Sequence, residues 1–175
     1  LFVYKYRLDL LYLLEKYQVV IVHGPKGSGK STQIPQYLLE AGWSTLKLQI
    51  LSIFSDSSSP FSSSPLASPI EDTFKILKEE LGPSLNHLIT MNTNIINDFH
   101  NHDNSRHPHR IKLSSHQALI REIMFDPSLS KYSVIIVNDA ENHELYSDVL
   151  LFLLKRILKV RSDLKVIITC STILH

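Results

Sequence analysis

The feature that most constrains the fold of this chain is a glycine-rich loop between an apolar run and a helical pattern. Residues 24–31 read Gly-Pro-Lys-Gly-Ser-Gly-Lys-Ser, which matches the phosphate-loop pattern G-x-x-x-x-G-K-[ST] in full. Residues 19–22, all β-branched, precede the loop, and a helical pattern over 30–41 follows it. A strand, a tight loop and a helix in this order favour an α/β fold with parallel strands.

The loop also predicts a ligand, a nucleoside triphosphate. Backbone N–H groups of such a turn can surround a polyphosphate, and the helix N-terminus adds its positive end. We expect Lys30 to reach the β- and γ-phosphates and the Ser31 hydroxyl to contact Mg²⁺. An ordinary turn between strand and helix explains neither the lysine nor its spacing. The predicted nucleotide-binding residues are Gly24, Pro25, Lys26, Gly27, Ser28, Gly29, Lys30, Ser31 and Thr32.

Apolar runs and helical patterns continue to alternate after the loop. The predicted helices cover residues 8–17, 30–41, 70–81, 116–125 and 145–160. The predicted strands cover residues 19–22, 46–54, 111–113, 134–137 and 164–169. This alternation predicts one domain over residues 1–175, with a doubly wound parallel sheet and the ligand at the carboxyl ends of the strands. The run at 19–22 is of the kind that such a sheet buries on both faces.

Two polar stretches interrupt the pattern and are expected to be loops. Residues 55–69 are rich in serine and proline, and residues 97–109 are rich in histidine. The second stretch contains Asp98, His100, His102, Asp103, His107 and His109. These are zinc-ligand types, but without cysteine or regular spacing they favour a solvated loop over a metal site.

Composition narrows the function classes. The chain has 18 Lys and Arg against 17 Asp and Glu, interspersed, which gives no electrostatic basis for strong nucleic-acid binding. No apolar run approaches the length of a transmembrane helix, and residues 1–7 lack the features of a secretory signal. The single cysteine, Cys170, excludes an internal disulfide and fits a reducing compartment. We therefore expect a nuclear or cytoplasmic protein without a membrane partner.

Two distant segments carry a family resemblance. Residues 24–43 read GPKGSGKSTQIPQYLLEAGW and residues 119–135 read LIREIMFDPSLSKYSVI. Together they resemble the first RecA-like domain of the DEAH-box RNA helicases, and within that family the subgroup numbered thirty-five. The resemblance implies a three-layer RecA-like P-loop NTPase domain with a mainly parallel sheet. It also implies ATP and Mg²⁺ as cofactors, RNA as a partner, and a second RecA-like domain or another helicase or spliceosomal partner.

The segment that names the family is altered. Asn138-Asp139-Ala140-Glu141 stands where the family has Asp-Glu-Ala-His. By resemblance, residue 138 would help Ser31 to hold Mg²⁺, residue 139 would polarise the attacking water, and residue 141 would link to the second domain. Asn138 lacks the charge that favours a divalent cation, so the metal site should be weakened. Asp139 is one methylene shorter than glutamate, and a misplacement of about 1 Å can cost on the order of 10²-fold in rate.

Further departures concern coupling and RNA. Cys170, Ser171 and Thr172 stand where the family has the SAT motif, which couples nucleotide state to strand separation. Residues 53–60, where the family's TQPRR segment should fall, contain serines and no arginine, and the TDG segment is replaced at residues 115–117. These changes remove groups that contact RNA phosphates, so RNA binding by this domain alone should be weak.

Two hypotheses of different class follow. In the first, the chain is the ATP-binding domain of a divergent RNA-dependent ATPase whose slow turnover needs a partner domain. In the second, it is a nucleotide-binding pseudo-helicase or scaffold without catalysis, which Asn138 and the lost arginines favour. Lys30 supports both equally. A helicase remnant with no selected role is a third interpretation.

Overall fold

The computed structural model describes residues 2–55, 68–92, 109–142 and 145–171. The α-helices there are α1 Arg7–Lys16, α2 Lys30–Glu40, α3 Pro69–Leu81, α4 His116–Phe125 and α5 Leu145–Leu158. The strands are β1 Val19–His23, β2 Gln49–Phe54, β3 Ile89–Asn92, β4 Ile111–Ser115, β5 Tyr132–Val137 and β6 Lys165–Cys170. Short 3-10 turns cover Phe2–Tyr6, Asn86–Leu88 and Ala140–Asn142.

Within the described residues, six strands form one sheet in the order β1-β6-β5-β2-β4-β3. Every pairing between them is parallel; Ile21 lies opposite Ile168, for example, and Ile53 lies opposite Val137. Because all six strands run the same way, their carboxyl ends lie along one edge of the sheet. The segments that follow β1, β5 and β6 therefore start close together, which is where a parallel sheet places its ligand.

Two hydrophobic layers cover the sheet, one on each face. Alternation along β2 divides its side chains between them. Ile50 and Phe54 pack in the layer with α1, α2 and α3, whereas Leu51 and Ile53 pack in the layer with α4 and α5. The order of layers is helix, sheet, helix, which confirms the predicted α/β class with a parallel sheet.

The prediction that residues 19–22 are buried on both faces is wrong. β1 lies at one edge of the described sheet and pairs there with β6. Val20 is buried in the layer that contains α1, but Val19 is 42% exposed and Ile21 is 61% exposed on the other face. A run of β-branched residues reports a preference for strand geometry, whereas the place of the strand in the sheet depends on pairing with β6, about 145 residues later.

The sequence patterns also do not predict β3, Ile89–Asn92. This four-residue strand pairs with β4 at the other edge of the described sheet, and the pairing decides its conformation. The ten elements that the sequence does predict agree with the structure to within about three residues at each end, the usual uncertainty of such boundaries.

Most of the two predicted loops, at 55–69 and 97–109, lies outside the described residues. At the end of the first loop, Ser68 caps α3, because its hydroxyl accepts the Glu71 N–H at 3.3 Å. Of the histidine-rich stretch only His109 is described, and the other residues of the zinc alternative lie outside the described residues. No helix in the described part of the chain has the length and apolar character needed to cross a bilayer.

Candidate nucleotide-binding site

The lysine of the phosphate loop is turned inward. Lys30 is the first residue of α2 and is only 6% exposed. Its Nζ donates to the Gly24 carbonyl at 2.6 Å, to the Pro25 carbonyl at 2.9 Å and to the Ser28 hydroxyl at 3.4 Å. A buried ammonium needs such partners, and an anionic phosphate oxygen would be a stronger one. The loop is therefore built around a cation that can exchange carbonyl oxygens for phosphate.

The backbone of the loop has the conformation that its glycines allow. Gly27 has φ of 74° and Gly29, the N-cap of α2, has φ of 90°, values that side chains larger than hydrogen rarely adopt. The Gly24 N–H donates to the Cys170 carbonyl at 3.1 Å, which ties the start of the loop to the end of β6. Ser31 and Thr32 are half-buried in the first turn of α2, where the positive end of the helix dipole faces the loop.

The side chain of Asn138 is buried and hydrogen-bonded inside the protein. The residue directly follows β5 and is 0% exposed. Its Nδ2 donates to the Ser52 hydroxyl at 2.9 Å and to the Ile53 carbonyl at 3.0 Å, and its Oδ1 accepts from the Thr169 hydroxyl at 3.4 Å. The carbonyl fixes which way the amide points, because only the nitrogen end can donate to it. The sequence predicts a cation ligand at this position, and the structure shows an internal tie between β2, β5 and β6.

Asp139 lies beside the phosphate loop in a left-handed backbone conformation, with φ of 50°. Such a conformation costs on the order of 1–3 kcal/mol for a residue other than glycine and is found at functional sites. The Thr169 hydroxyl oxygen accepts the Asp139 N–H at 3.3 Å and so helps to hold it. Burial raises the pKa of Asp139 and the charge of Glu141 adds to this, whereas Lys30 and Lys26 oppose it. The predicted base position is thus within the electrostatic reach of the loop lysines.

Glu141 connects the 3-10 turn after β5 to the end of β6. Its Oε1 accepts the Ser171 N–H at 2.9 Å and also the Ser171 hydroxyl. Burial acts to raise the pKa of Glu141, but the hydrogen bonds from Ser171 outweigh it, so the pKa is lowered and the carboxylate stays charged. Glu141 therefore contacts Ser171 directly, although the sequence assigns the two residues to different roles, the histidine position and the coupling segment.

Ser52 and Thr169 belong to the site, and the sequence analysis missed both. They are the buried partners of Asn138, and each is 0% exposed. The signal was present, since each is a polar residue in a strand that is otherwise apolar after its first residue and whose carboxyl end reaches the ligand edge. A buried hydroxyl at such a place needs a hydrogen-bond partner, and the partner is the residue after the neighbouring strand.

The remaining predicted site residues are only partly described. Cys170 is buried, and burial raises the pKa of its thiol, which fits a structural role and not a nucleophile. Thr172, and residues 56–60 of the segment expected on the RNA path, lie outside the described residues. Ser115, in the altered TDG segment, caps α4 by accepting the Ala118 N–H at 3.3 Å.

The chain is similar in sequence to several known proteins. No protein-family model matches the chain. It is 36% identical over 171 residues to the human (Homo sapiens) protein named "Probable ATP-dependent RNA helicase DHX35", a match that takes in 98% of this chain and 22% of that protein. It is 32% identical over 169 residues to a Schizosaccharomyces pombe protein provisionally named a pre-mRNA-splicing factor ATP-dependent RNA helicase, covering 97% of this chain and 24% of that protein.

Among solved structures, the Escherichia coli DEAH/RHA helicase HrpB superposes with a TM-score of 0.75 at 22% identity, over 100% of this chain and 20% of that chain. At this identity the likeness shows the fold alone, and it confirms the predicted RecA-like fold. The chain spans between about a fifth and a quarter of the length of the curated relatives that it matches.

Proposed function

The chain is a homologue of the DEAH-box/RHA helicases, and on that premise we propose that it is the ATP-binding domain of a divergent RNA helicase. The observation that carries the proposal is the position of Lys30. A lysine held inside a glycine loop by carbonyl oxygens, at the carboxyl edge of a parallel sheet, is prepared for a polyphosphate. ATP is the ligand proposed for residues 24–32, because the relatives are named as ATP-dependent helicases.

Binding would exchange one set of Lys30 partners for another. The Gly24 and Pro25 carbonyls are neutral acceptors, whereas phosphate oxygens carry negative charge and add direct Coulomb attraction to the hydrogen bond. Lys26 is exposed on the same loop and adds a second cation that needs no rearrangement. The free energy of binding thus comes from charge neutralisation at the loop and from the N-terminus of α2.

Hydrolysis by this chain alone is proposed to be slow or absent. Asp139 is within reach of the loop lysines but has a shorter side chain than the glutamate that the family resemblance implies. A second RecA-like domain, with the arginines that it would supply to the γ-phosphate, is a proposal that the greater length of the relatives supports. RNA is proposed as a weak ligand of this domain, and an intracellular, splicing-related setting is supported by the name of the S. pombe relative.

The second candidate function, a nucleotide-binding scaffold without catalysis, is favoured by one observation. Asn138 is buried and its amide is hydrogen-bonded to the Ile53 carbonyl, which supports a structural role for the residue after β5 over a role as a metal ligand. Under this second candidate function, the loop binds ATP for stability or switching, and Asp139 does not act as a general base.

A titration with a fluorescent ATP analogue tests the shared part of both candidates. Lys30→Ala should weaken binding by about 10- to 100-fold, because a charge-assisted hydrogen bond of about 1.5–3 kcal/mol is lost. Lys47→Ala is the matched control, since Lys47 is exposed in the segment before β2, away from the carboxyl edge, and should bind like the parent. Equal affinity of the parent and Lys30→Ala, or no binding by the parent, overturns the proposal. Single-turnover hydrolysis with and without single-stranded RNA then separates enzyme from scaffold.

A further inference from the structure

The metal position beside the phosphate loop can be tested against the chemistry of a divalent cation. Mg²⁺ takes oxygen ligands in an octahedral arrangement, and proteins usually hold it through one or two carboxylates together with substrate phosphates. The sequence pattern assigns this role to Ser31 and residue 138. Ser31 offers a neutral hydroxyl in the first turn of α2, so the charge would have to come from elsewhere.

Asn138 does not fit the role. Turning its Oδ1 toward a cation would swing Nδ2 away from Ser52 and Ile53 and would break the contact with Thr169, so three buried hydrogen bonds would be lost. Each buried group left without a partner costs about 1–3 kcal/mol. The residue is also 0% exposed, which leaves no surface for a metal-bound water to contact.

The neighbouring carboxylates do not replace it. Oε1 of Glu141 is taken by the two donors of Ser171, and Oε2 is enclosed without a hydrogen-bond partner among the described residues, so it offers no surface to a hydrated cation. Asp139 is the carboxylate that remains, and the positive charges of Lys30 and Lys26 act on it, which opposes the approach of a divalent cation. Over the described ranges 2–55, 68–92, 109–142 and 145–171, His, Cys, Asp and Glu form no group of three or more that could hold a metal ion.

We propose that this site binds nucleoside triphosphate without a divalent cation held by the protein. Lys30 and the exposed Lys26 supply the positive charge, and the N-terminus of α2 adds to it. The inference rests on the proposed nucleotide binding and specifies the form of the ligand: the phosphates are bound by the loop whether or not they carry Mg²⁺. The affinity for ATP should therefore be nearly independent of the metal.

The test is a titration of the parent protein with a fluorescent ATP analogue in two buffers, one with millimolar MgCl₂ and one with EDTA in place of the metal. We expect dissociation constants that agree within about threefold, a difference of less than 1 kcal/mol. An affinity more than about threefold higher in MgCl₂ overturns this inference and leaves the proposed function standing. Absence of binding in both buffers overturns the proposed function instead, so the two failures are distinguishable.

Ser31→Ala supplies an independent readout. If the Ser31 hydroxyl were a metal ligand, its removal would weaken binding in MgCl₂ and leave the affinity in EDTA unchanged. We expect the same small change in both buffers, because the hydroxyl contacts no protein-held cation. Circular dichroism of the variant in both buffers verifies that its overall helix content is unchanged, and a loss of affinity confined to the MgCl₂ buffer contradicts the proposal.

Discussion

Replacing Asn138 by aspartate, the residue that the family resemblance leads one to expect, should destabilise this protein. The two side chains have the same shape, and the change exchanges the amide nitrogen for a second carboxylate oxygen. That oxygen would face the Ile53 carbonyl across 3.0 Å, where Asn138 now donates a hydrogen bond. The new carboxylate oxygen and the Ile53 carbonyl oxygen are both acceptors, and they repel each other because no proton lies between them. The substitution would therefore place a negative charge against the Ile53 carbonyl.

The magnitude follows from the contacts. The amide loses hydrogen bonds to Ser52 and Ile53, worth about 1 kcal/mol each. Enclosing an ionised carboxylate costs several kcal/mol even after relaxation. The hydroxyls of Ser52 and Thr169 can both donate to it and return about 1.5–3 kcal/mol each. We expect a net loss of about 3 kcal/mol in the free energy of unfolding at pH 7.5, and burial of the charge should raise the carboxyl pKa on folding.

Urea unfolding of the parent and Asn138→Asp between pH 4.5 and pH 8 measures the loss. A folded-state pKa above the unfolded value of about 3.9 means that the penalty is absent below the unfolded pKa, grows between the two pKa values and is complete above the folded one. The difference between the two proteins should be about 1–2 kcal/mol at pH 4.5, where the lost amide hydrogen bonds dominate, and about 3 kcal/mol at pH 7.5. Asn138→Ala is the control, because it loses the same amide without adding a charge, and its penalty should be the same at both pH values.

An aspartate variant as stable as the parent at pH 7.5 would refute the claim that the Asn138 amide is committed to the Ile53 carbonyl. A penalty that does not change with pH would refute the electrostatic explanation. The expected destabilisation would have a practical consequence. Restoring the family's residue at this one position would not restore a metal site, because Ser52 and Thr169 are arranged around an amide.

Three further predictions concern the surroundings of the site and the sheet edge. Asp126→Ala should lower the free energy of unfolding by about 1–2 kcal/mol at pH 7, because Asp126 accepts hydrogen bonds from the backbone and hydroxyls of Ser128 and Ser130. Burial acts to raise the pKa of Asp126, but those hydrogen bonds outweigh it and hold the pKa at about 2. The stabilisation is therefore present above the unfolded pKa and is lost as the pH falls toward 2. Chemical denaturation at pH 7 and pH 3 checks this, and an equal penalty at both pH values contradicts it. Ser171→Ala removes the hydroxyl donor to Glu141 but keeps the N–H donor, so it should cost about 0.5–1.5 kcal/mol and speed hydrogen exchange at residue 171, whereas unchanged exchange would show that the contact holds nothing. Ile21→Lys should change the free energy of unfolding by less than about 0.5 kcal/mol, since Ile21 is mostly exposed, and should reduce self-association in light scattering, with increased association as the contrary result.

The strand–loop–helix unit at residues 19–41 could be predicted almost completely from the sequence. Glycine spacing, a β-branched run and a helical pattern each depend on local geometry, and local geometry is what a sequence states most directly. The same holds for α4, whose bounds the sequence predicts in full, because Ser115 supplies a cap at one end and Asp126-Pro127 a stop at the other.

The parts that could not be predicted depend on contacts between distant residues. The exposure of Val19 and Ile21 follows from the edge position of β1, and nothing in residues 19–23 states which strand lies beside them. The orientation of Asn138 is a second case. Its amide donates hydrogen bonds to Ser52 and Ile53, which lie 85 or more positions earlier in the chain. Sequence comparison interprets this asparagine as a weakened ligand, whereas these distant contacts support a structural role.

The neighbours of β1 have a consequence for how the domain is assembled during synthesis. In the described sheet, β1 is bonded only to β6, so the partner of the strand that carries the phosphate loop is synthesised about 145 residues later. Pairing over such a separation is slow, because a long loop must close before any contact rewards it. A nascent chain that stops before Lys165 would leave the Gly24 N–H without the Cys170 carbonyl, so the proposed nucleotide binding should be weaker until β6 has been synthesised.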